Sequence, residues 1–264
     1  DATGNNKNGA DYQGSMADFL MLVIIDKTEN TYSFLQLNRD TMTEVALIDH
    51  NGEGEATANI QLCTAHWYGG NREQSCENTV KSVKKLLGGI QIDGYYELNM
   101  SEIPKLNNMV DGVTVTLEDD FSKKYPKMKK GATINLDDEQ AYAYVHDRYG
   151  VGNEENTSRM KRQQQYMTGF FKKLQEKVKA NPNYANEVFE SLQDVSTTDI
   201  TIGKISNISN IFASGTDKGI FELAGKSKIG QALGDEIDHM EFYVNKKAMV
   251  LSLIHISEPT RLAL

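Results

Sequence analysis

The strongest constraint on the fold is a continuous apolar run, FLMLVII at residues 19–25. A short apolar run bounded by turn residues is typical of a strand buried on both faces, because a surface helix would interrupt it with polar residues. The turn DKTEN and the segment TYSFLQL at residues 31–37 follow, and we interpret that segment as a neighbouring strand. Strand-like and helix-like patterns then alternate. This alternation predicts an α/β fold, an α-β-α sandwich with a central, mostly mixed β-sheet flanked by helices.

Further elements are predicted from hydrophobic periodicity. The predicted helices are TANIQLCTAHWYG, ENTVKSVKKLL, MSEIPKLNNMV, LDDEQAYAYVHDRY with Asp137 or Asp138 as its cap, and a long helix from Ser158 to Val178. The predicted strands are IQIDGYYEL, GVTVTL and EFYV. No linker is evident, so one domain is predicted over residues 1–250. The segment LSLIHISEPTRLAL at residues 251–264 has no turn or cap joining it to that domain, and we interpret it as a non-native tail derived from adapter or vector sequence.

Charge and motif content exclude several classes of function. A net charge of −9 and a pI near 5.1 argue against a nucleic-acid-binding protein. No apolar run reaches the roughly 20 residues of a membrane helix, and the polar opening DATGNNKNGADYQGSM is unlike a signal peptide. The sequence is therefore either cytosolic or a soluble piece of a longer chain. It also lacks the P-loop, dinucleotide-binding, serine-hydrolase and zinc-protease motifs.

Arginine is concentrated in one short stretch of this acidic chain. Of its six arginines, Arg148, Arg159 and Arg162 fall within residues 148–162. Arg148 is placed on the helix before a glycine-containing loop, and Arg159, Arg162 and Gln163 in the first turns of the long helix after it. Guanidinium groups and a helix start both suit phosphate or pyrophosphate. The alternative is a set of surface arginines that pair with the nearby carboxylates of Asp147, Glu154 and Glu155.

Two other segments place charged side chains beside predicted strands. Asp18 stands immediately before the apolar run, where a carboxylate is costly unless it binds a cation or a donor. It is either a Mg²⁺ (or Mn²⁺) ligand or an ordinary strand-start residue. Arg39 and Asp40 follow the next strand, at the kind of strand end where α/β proteins bind ligands. The alternative is a simple turn formed by Asp40 and Thr41.

The only two cysteines are Cys63 and Cys76, on either side of a Gly-Gly loop. Their spacing fits neither a redox motif nor a zinc site. A disulfide and a pair of unpaired thiols both remain open.

Taken together, four segments resemble the LytR-CpsA-Psr family of cell-wall glycopolymer transferases. ADFLMLVIIDKTENTYSFLQLNRDTMTEV is similar to the opening of the family, which ends in an R-D-T motif. ANIQLCTAHWYGG and IDGYYELNMSEIPKLNNMVDGVTVTL resemble its two middle segments, and AYAYVHDRY with NTSRMKRQQQYM resembles its closing R-x-x-R-Q motif. The resemblance covers about residues 15–180, in the order of the family.

The resemblance implies an activity and a location. Family members are extracytoplasmic domains anchored by one N-terminal membrane helix in bacteria of the Gram-positive type. They transfer teichoic acid, capsular or other wall polysaccharides from an undecaprenyl-pyrophosphate carrier to peptidoglycan, with Mg²⁺ (or Mn²⁺) as cofactor. This chain would then lack the membrane helix and the first strand of the domain. An extracytoplasmic location also favours the Cys63–Cys76 disulfide.

The resemblance also implies roles for individual residues. Arg39, Asp40, Arg148 and Arg159 are expected to be catalytic, with the three arginines on the pyrophosphate. Arg162, Gln163 and Asn156 are expected to contribute to substrate binding. Asp18 and Asp1 are the expected metal ligands.

Three positions depart from the family pattern. Met16 and His146 replace arginines, and Asn156 replaces an aspartate that is a candidate catalytic base. Because asparagine cannot accept a proton, Glu154, Glu155 or Asp40 would have to serve, unless Mg²⁺ assists alone. Asn156 could also be only the cap of the long helix. These departures keep two alternatives open, namely a polyprenyl-phosphate-binding regulatory module without turnover and a pyrophosphatase of the lipid carrier.

Overall fold

The computed structural model of the chain describes residues 12–54 and 56–249. The predicted metal ligand Asp1 and the predicted tail at residues 251–264 lie outside the described residues. The chain divides into two compact units. Among the described residues, unit 1 comprises those up to Glu97, Ser196–Thr201 and those from Phe221 onwards, and unit 2 comprises Leu98–Val195 and Ile202–Ile220. The single domain over residues 1–250 stays a prediction.

Unit 1 is built from short strands and one long helix. Its elements are β1 (Leu20–Asp26), β2 (Thr31–Leu37), β3 (Met42–Ala46), β4 (Thr57–Gln61), α1 (Arg72–Leu86), β5 (Tyr96–Leu98), β8 (Ser196–Thr198), β10 (Gly225–Gly230) and β11 (His239–Val244). Strands β1 and β2 form a three-stranded sheet with β9 (Thr216–Glu222), in the order β1-β2-β9. The other strands of unit 1 pair as β3-β4, β5-β8 and β10-β11. The boundary between the units falls inside β9 and at the end of β5.

The apolar run forms the predicted strand β1, but it is not buried on both faces. It pairs antiparallel with β2, with Leu20 opposite Leu37 and Asp26 opposite Thr31. Its alternate residues Leu20, Leu22 and Ile24 pack into the core, whereas Val23 is 53% exposed. Leu20, Leu22 and Ile24 are themselves only partly buried, so one face of β1 packs on the core and neither face is fully covered.

Residues 57–66 differ from the predicted helix. Thr57–Gln61 forms β4, which pairs antiparallel with β3, and a short 3-10 helix, Leu62–His66, follows. The next helix, α1, is confirmed. Its N-cap Asn71 accepts a hydrogen bond from the Gln74 N–H at 2.8 Å, which satisfies one donor of the first turn.

Unit 2 is richer in helix. Its elements are α2 (Ile103–Met109), β6 (Val113–Thr116), β7 (Thr133–Leu136), α3 (Asp138–His146), α4 (Asn156–Ala180), α5 (Tyr184–Ser191) and α6 (Ile202–Ser214). Strands β6 and β7 pair antiparallel, and an apolar core that includes Val113, Leu136, Tyr144, Tyr166 and Phe170 lies among them, α3 and α4. Interleaved strands and helices agree with the predicted α/β class.

The boundaries of α3 and α4 alter two predictions. Asp137 caps α3 through a reciprocal pair of hydrogen bonds with Gln140, but α3 ends at His146, so Arg148 lies in the following loop and not on the helix. Helix α4 starts at Asn156, and Glu155 occupies the N-cap position, so Asn156 is not the cap. Among the helices of the described ranges, none has both the length and the apolar character needed to cross a membrane.

Candidate active site

The predicted site residues of unit 1 follow the end of β2, in a turn over residues 38–41. The Asn38 side chain accepts a hydrogen bond from the Asp40 N–H at 2.9 Å. The Asn38 carbonyl accepts from Thr41 through its N–H at 3.0 Å and its hydroxyl at 2.6 Å. Asn38 therefore organises this turn.

Arg39 forms an ion pair with Asp18, which lies just before β1. Its Nη1 donates to Asp18 Oδ1, its Nη2 lies 3.4 Å from Met16 Sδ, and its Nε is 4.0 Å from Asp40 Oδ1. The side chains of Arg39 and Asp18 are 16% and 8% exposed. Burial on its own lowers the pKa of Arg39, but nearby Cys63, Asp18 and Asp40 outweigh it and raise that pKa. The guanidinium thus stays charged although it is largely buried.

The fit of a divalent cation can be judged from these donors. No group of three or more His, Cys, Asp or Glu side chains suited to a metal occurs within residues 12–54 and 56–249. Asp18 and Asp40 nevertheless flank one guanidinium, and Mg²⁺ needs only one or two carboxylates when phosphate and water supply the other oxygens. The donor set is therefore compatible with Mg²⁺, with Arg39 sharing the carboxylate of Asp18.

In unit 2, Arg148 is the arginine most accessible to an anion. Its Nη2 donates to the hydroxyl of Tyr149 at 2.7 Å, and its guanidinium lies 4.8 Å from the centroid of the same ring. Among the described residues it has no carboxylate partner, and Tyr149 is 77% exposed. The predicted alternative of surface pairing with Asp147, Glu154 or Glu155 therefore does not apply to Arg148. Its full charge remains available for a ligand.

Arg159 and Asn156 lie together at the start of α4. Arg159 is 4% exposed and Asn156 is 7% exposed, so Arg159 is not a surface arginine. The Arg159 Nη2 donates to Asn156 Oδ1 at 2.8 Å. An asparagine oxygen orients this guanidinium without cancelling its charge, whereas the aspartate of the family pattern would form an ion pair there. The substitution thus increases the net positive charge of this helix start.

Arg162 and Gln163 hold the chain that carries Arg148. Arg162 is 1% exposed; it donates to Asp119 Oδ2 at 2.5 Å, to the Tyr144 carbonyl at 2.9 Å and to the Asp147 carbonyl. Gln163 donates to the Val145 carbonyl at 3.1 Å. These bonds satisfy carbonyls at the end of α3, immediately before Arg148. They give Arg162 a structural role, and its direct contact with substrate stays a prediction.

The two glutamates considered as replacement bases take part in the loop between α3 and α4. Glu154 accepts a hydrogen bond from the Gly150 N–H at 2.8 Å and has a positive φ of 60°. Glu155 accepts from the Thr157 hydroxyl at 3.1 Å. His146, the other departure in this region, stacks on Tyr142 with ring centroids 4.8 Å apart. The identity of the base stays open among Glu154, Glu155 and Asp40.

The predicted disulfide is wrong. Cys63 and Cys76 are both free and buried. Their sulfur atoms have different neighbours, because Cys63 Sγ lies 4.0 Å from Met16 Sδ and Cys76 Sγ lies 3.9 Å from His66 Nε2. Burial raises the pKa of the Cys63 thiol, and it raises that of Cys76 to about 12. Both side chains are neutral, packed thiols near pH 7.

We expect these thiols to resist modification in the folded protein. A thiol reagent should label neither cysteine of the native chain near neutral pH within minutes and both after denaturation, because the thiolate is the reactive form and forms only towards pH 12 at Cys76. The intact mass should be the same with and without reductant. A mass two hydrogens lower without reductant would restore the disulfide.

The chain is similar to a known family of proteins. The model of the LytR_cpsA_psr family matches residues 3–253. The chain belongs to this family. A relative in Bacillus cereus (strain AH820), named polyisoprenyl-teichoic acid--peptidoglycan teichoic acid transferase TagU, is 29% identical over 168 residues, which is 62% of this chain and 50% of the relative. The chain thus spans about half the length of the curated relatives it matches.

Solved structures of similar proteins share the fold. The Streptococcus agalactiae protein gbs0355 has a TM-score of 0.74 at 21% identity, over 98% of this chain and 84% of that chain. Bacillus subtilis TagV has a TM-score of 0.69 at 20% identity, over 93% and 90% of the two chains. The α/β class and the family predicted from the sequence are both confirmed.

Three residues that contact Arg148, Arg162 or Asp147 were not found from the sequence. Asp119 holds Arg162 from far along the chain, and Lys124 Nζ lies 3.6 Å from Asp147 Oδ2. Asp119 lies in an acidic stretch that reads as solvated surface, so no sequence signal identified it. Tyr149 could have been found, because an aromatic residue directly after a candidate phosphate-binding arginine can stack on it.

Proposed function

We propose that this protein transfers an anionic glycopolymer from a polyprenyl-pyrophosphate carrier to peptidoglycan. The observation that carries the proposal is Arg148, an arginine with no carboxylate partner among the described residues, in a family with relatives named as teichoic acid transferases. A guanidinium held on an aromatic ring and a hydroxyl can bind two phosphoryl oxygens at once. Arg159, which donates to Asn156 Oδ1 at 2.8 Å, would supply a second guanidinium.

The proposed reaction is a phosphoryl transfer. A sugar hydroxyl of peptidoglycan attacks the phosphorus next to the glycan, its proton passes to a carboxylate, and the bond from that phosphorus to the bridging oxygen breaks. Polyprenyl phosphate leaves, and the product is a phosphodiester. Charge builds on the phosphoryl oxygens, so Arg148 and Arg159 lower the barrier by positioning and by positive charge already in place.

The remaining features of the proposal concern cofactor, carrier and location. Asp18 would hold Mg²⁺ (or Mn²⁺), which when bound supplies positive charge to phosphate oxygens. The carrier is undecaprenyl pyrophosphate, and the full-length protein works on the outer face of the membrane through a single N-terminal helix. The family resemblance supports the carrier and the location, and the carboxylate of Asp18 supports the metal.

Transfer can be tested directly. The chain is incubated with a polyprenyl-pyrophosphate glycan, peptidoglycan oligomers and Mg²⁺, and glycan-linked peptidoglycan is sought by mass spectrometry. The proposal expects this product, and expects it to disappear when Arg148 is replaced. Lipid phosphate released without any acceptor would favour the pyrophosphatase, and carrier binding without cleavage would favour the regulatory module.

Metal dependence gives a separate prediction. Asp18→Asn should raise the Mg²⁺ concentration needed for half-maximal transfer by about tenfold or more, because the amide is a neutral and weaker ligand. Titration of activity with Mg²⁺ measures this shift. The control is Glu29→Gln, which removes the same charge from an exposed turn of unit 1. An equal response of the two variants would remove Asp18 from the metal site.

Tyr149 should act as a positioning residue for Arg148. Tyr149→Ala removes both the ring and the hydroxyl that hold the guanidinium, so kcat/KM should fall by about tenfold. Tyr149→Phe keeps the ring and should lose only about threefold. Steady-state kinetics with the same donor separate the two variants. If neither variant differs from the original chain, Arg148 is positioned without Tyr149.

A further inference from the structure

A second basic feature lies near Arg148, on the segment between β6 and β7. We name residues 121–131, FSKKYPKMKKG, the lysine loop. Its five lysines are all exposed, although the protein as a whole carries a net charge of −9. They are Lys123, Lys124, Lys127, Lys129 and Lys130. Such a local excess of positive charge attracts polyanions against the net charge of the chain.

The lysine loop has a fixed backbone. Phe121 and Met128 are buried at 4% and 0% exposure and anchor it in the core of unit 2. The Phe121 N–H donates to the Met128 carbonyl at 2.9 Å, the Met128 N–H donates to the Tyr125 carbonyl at 2.8 Å, and the Tyr125 N–H donates to the Phe121 carbonyl at 2.9 Å. The lysines therefore project from an ordered turn, and binding to them requires little ordering of the backbone.

The lysine loop is tied to the segment that carries Arg148. Lys124 Nζ lies 3.6 Å from Asp147 Oδ2, and Asp147 directly precedes Arg148. The Phe121 ring lies 5.3 Å from the guanidinium of Arg162, which also donates to the Asp147 carbonyl. The loop and Arg148 are thus held side by side within unit 2.

The carboxylates near the lysine loop are largely engaged. Asp119 accepts from Arg162 at 2.5 Å. Asp120 accepts from the N–H and the hydroxyl of Ser122 at 2.8 and 2.5 Å, and Asp147 pairs with Lys124 and His146. The loop itself contains five exposed lysines and no acidic residue. Of the acidic residues next to it, Asp119, Asp120 and Asp147 already have donors, and Glu118 is exposed.

We propose that the lysine loop binds the phosphodiester backbone of the glycopolymer, while the phosphoryl group to be transferred lies at Arg148. This inference rests on the proposed function and names its substrate class, a polymer with repeating phosphates. Lysine suits such a chain because its flexible point charge follows successive phosphates without a fixed geometry. Arginine binds two phosphate oxygens at once and so fixes the orientation of the phosphoryl group, which suits the group that reacts.

An anionic membrane is the competing partner for exposed lysines. Phe121 and Met128 are buried and Tyr125 packs against the same core, so none of these three side chains is available to enter a bilayer, and only the small ring of Pro126 is exposed. Its position beside Arg148 also favours a ligand that continues from the reacting phosphate. The polymer is therefore the better match.

The test measures polymer binding without transfer. Labelled poly(glycerol phosphate) of defined length is titrated with the chain and followed by fluorescence anisotropy at several salt concentrations. In the triple variant Lys123→Gln, Lys127→Gln, Lys129→Gln, the Kd should rise by about tenfold or more, and the slope of log Kd against log salt should fall by about 2. The matched control, Lys172→Gln, Lys179→Gln, Lys218→Gln, removes the same charge from exposed lysines elsewhere in unit 2 and should leave both unchanged.

The outcomes separate this inference from the proposed function. A triple variant that binds like the control overturns the inference, as does equal binding of the original chain to neutral dextran. If the lysine loop is needed for binding to phosphatidylglycerol vesicles and the chain does not bind the polymer, the ligand of the loop is an anionic membrane and the inference is overturned. Loop-dependent polymer binding by a chain that transfers nothing supports the polyanion site and contradicts the proposed function alone.

Discussion

Replacing Arg162 by methionine should lower the free energy of unfolding by about 3–5 kcal/mol. Arg162 is 1% exposed, and its guanidinium is the partner of Asp119 at 2.5 Å and of two backbone carbonyls of the α3 end. Methionine fills a similar volume but leaves a carboxylate and two carbonyls without this donor. Urea denaturation followed by circular dichroism measures the loss, which is a large part of the roughly 5–15 kcal/mol of a typical domain.

Two further variants make this result specific. Lys161→Met removes an exposed cation one position earlier on the same helix and should change stability by no more than about 0.5 kcal/mol. Adding Asp119→Leu to Arg162→Met should recover part of the loss, because the unpaired carboxylate is removed as well. A loss below about 1 kcal/mol in Arg162→Met would contradict the structural role of this ion pair.

The contrast between Arg148 and Arg162 shows where sequence reasoning stops. Both arginines belong to the closing motif, and the sequence predicts the same phosphate chemistry for both. Their environments differ because Asp119, far away in the sequence, pairs with only one of them. A motif can indicate which residue types gather at a site, but burial and long-range partners decide which of them stays available for a ligand.

The fold was predictable where the local pattern and tertiary packing agree. The apolar run at residues 19–25 predicted β1. The apolar periodicity of residues 158–178 predicted α4, which is longer by two residues at each end, Asn156–Ala180. The predicted helix was wrong over residues 57–61. Their apolar spacing fits a helix as well as a strand, but pairing with β3 satisfies their backbone hydrogen bonds as a strand. The disulfide was wrong for a related reason, since spacing along the chain says nothing about the neighbours that enclose each sulfur.

Replacing Arg148 by alanine should lower kcat/KM for transfer by about 10³-fold, on the order of 4 kcal/mol, while the free energy of unfolding changes by less than about 0.5 kcal/mol. The two effects separate because the guanidinium of Arg148 has its hydrogen bond and its ring contact with the exposed Tyr149, so its loss leaves no buried polar partner unsatisfied. Its charge is held for a ligand that carries negative charge. Steady-state transfer kinetics and urea denaturation of the same preparation measure both quantities.

Arg148→Lys decides which property of the side chain matters. Lysine keeps the charge but cannot offer two parallel N–H donors, so it should restore less than about a tenth of the original kcat/KM if bidentate binding of the phosphoryl group is the source of the effect. If Arg148→Lys keeps the full kcat/KM, positive charge alone is sufficient, and the two parallel N–H donors of the guanidinium are not needed. If Arg148→Ala keeps the original transfer rate, Arg148 is not part of the active site. The absence of a carboxylate partner would then not indicate a phosphate-binding role.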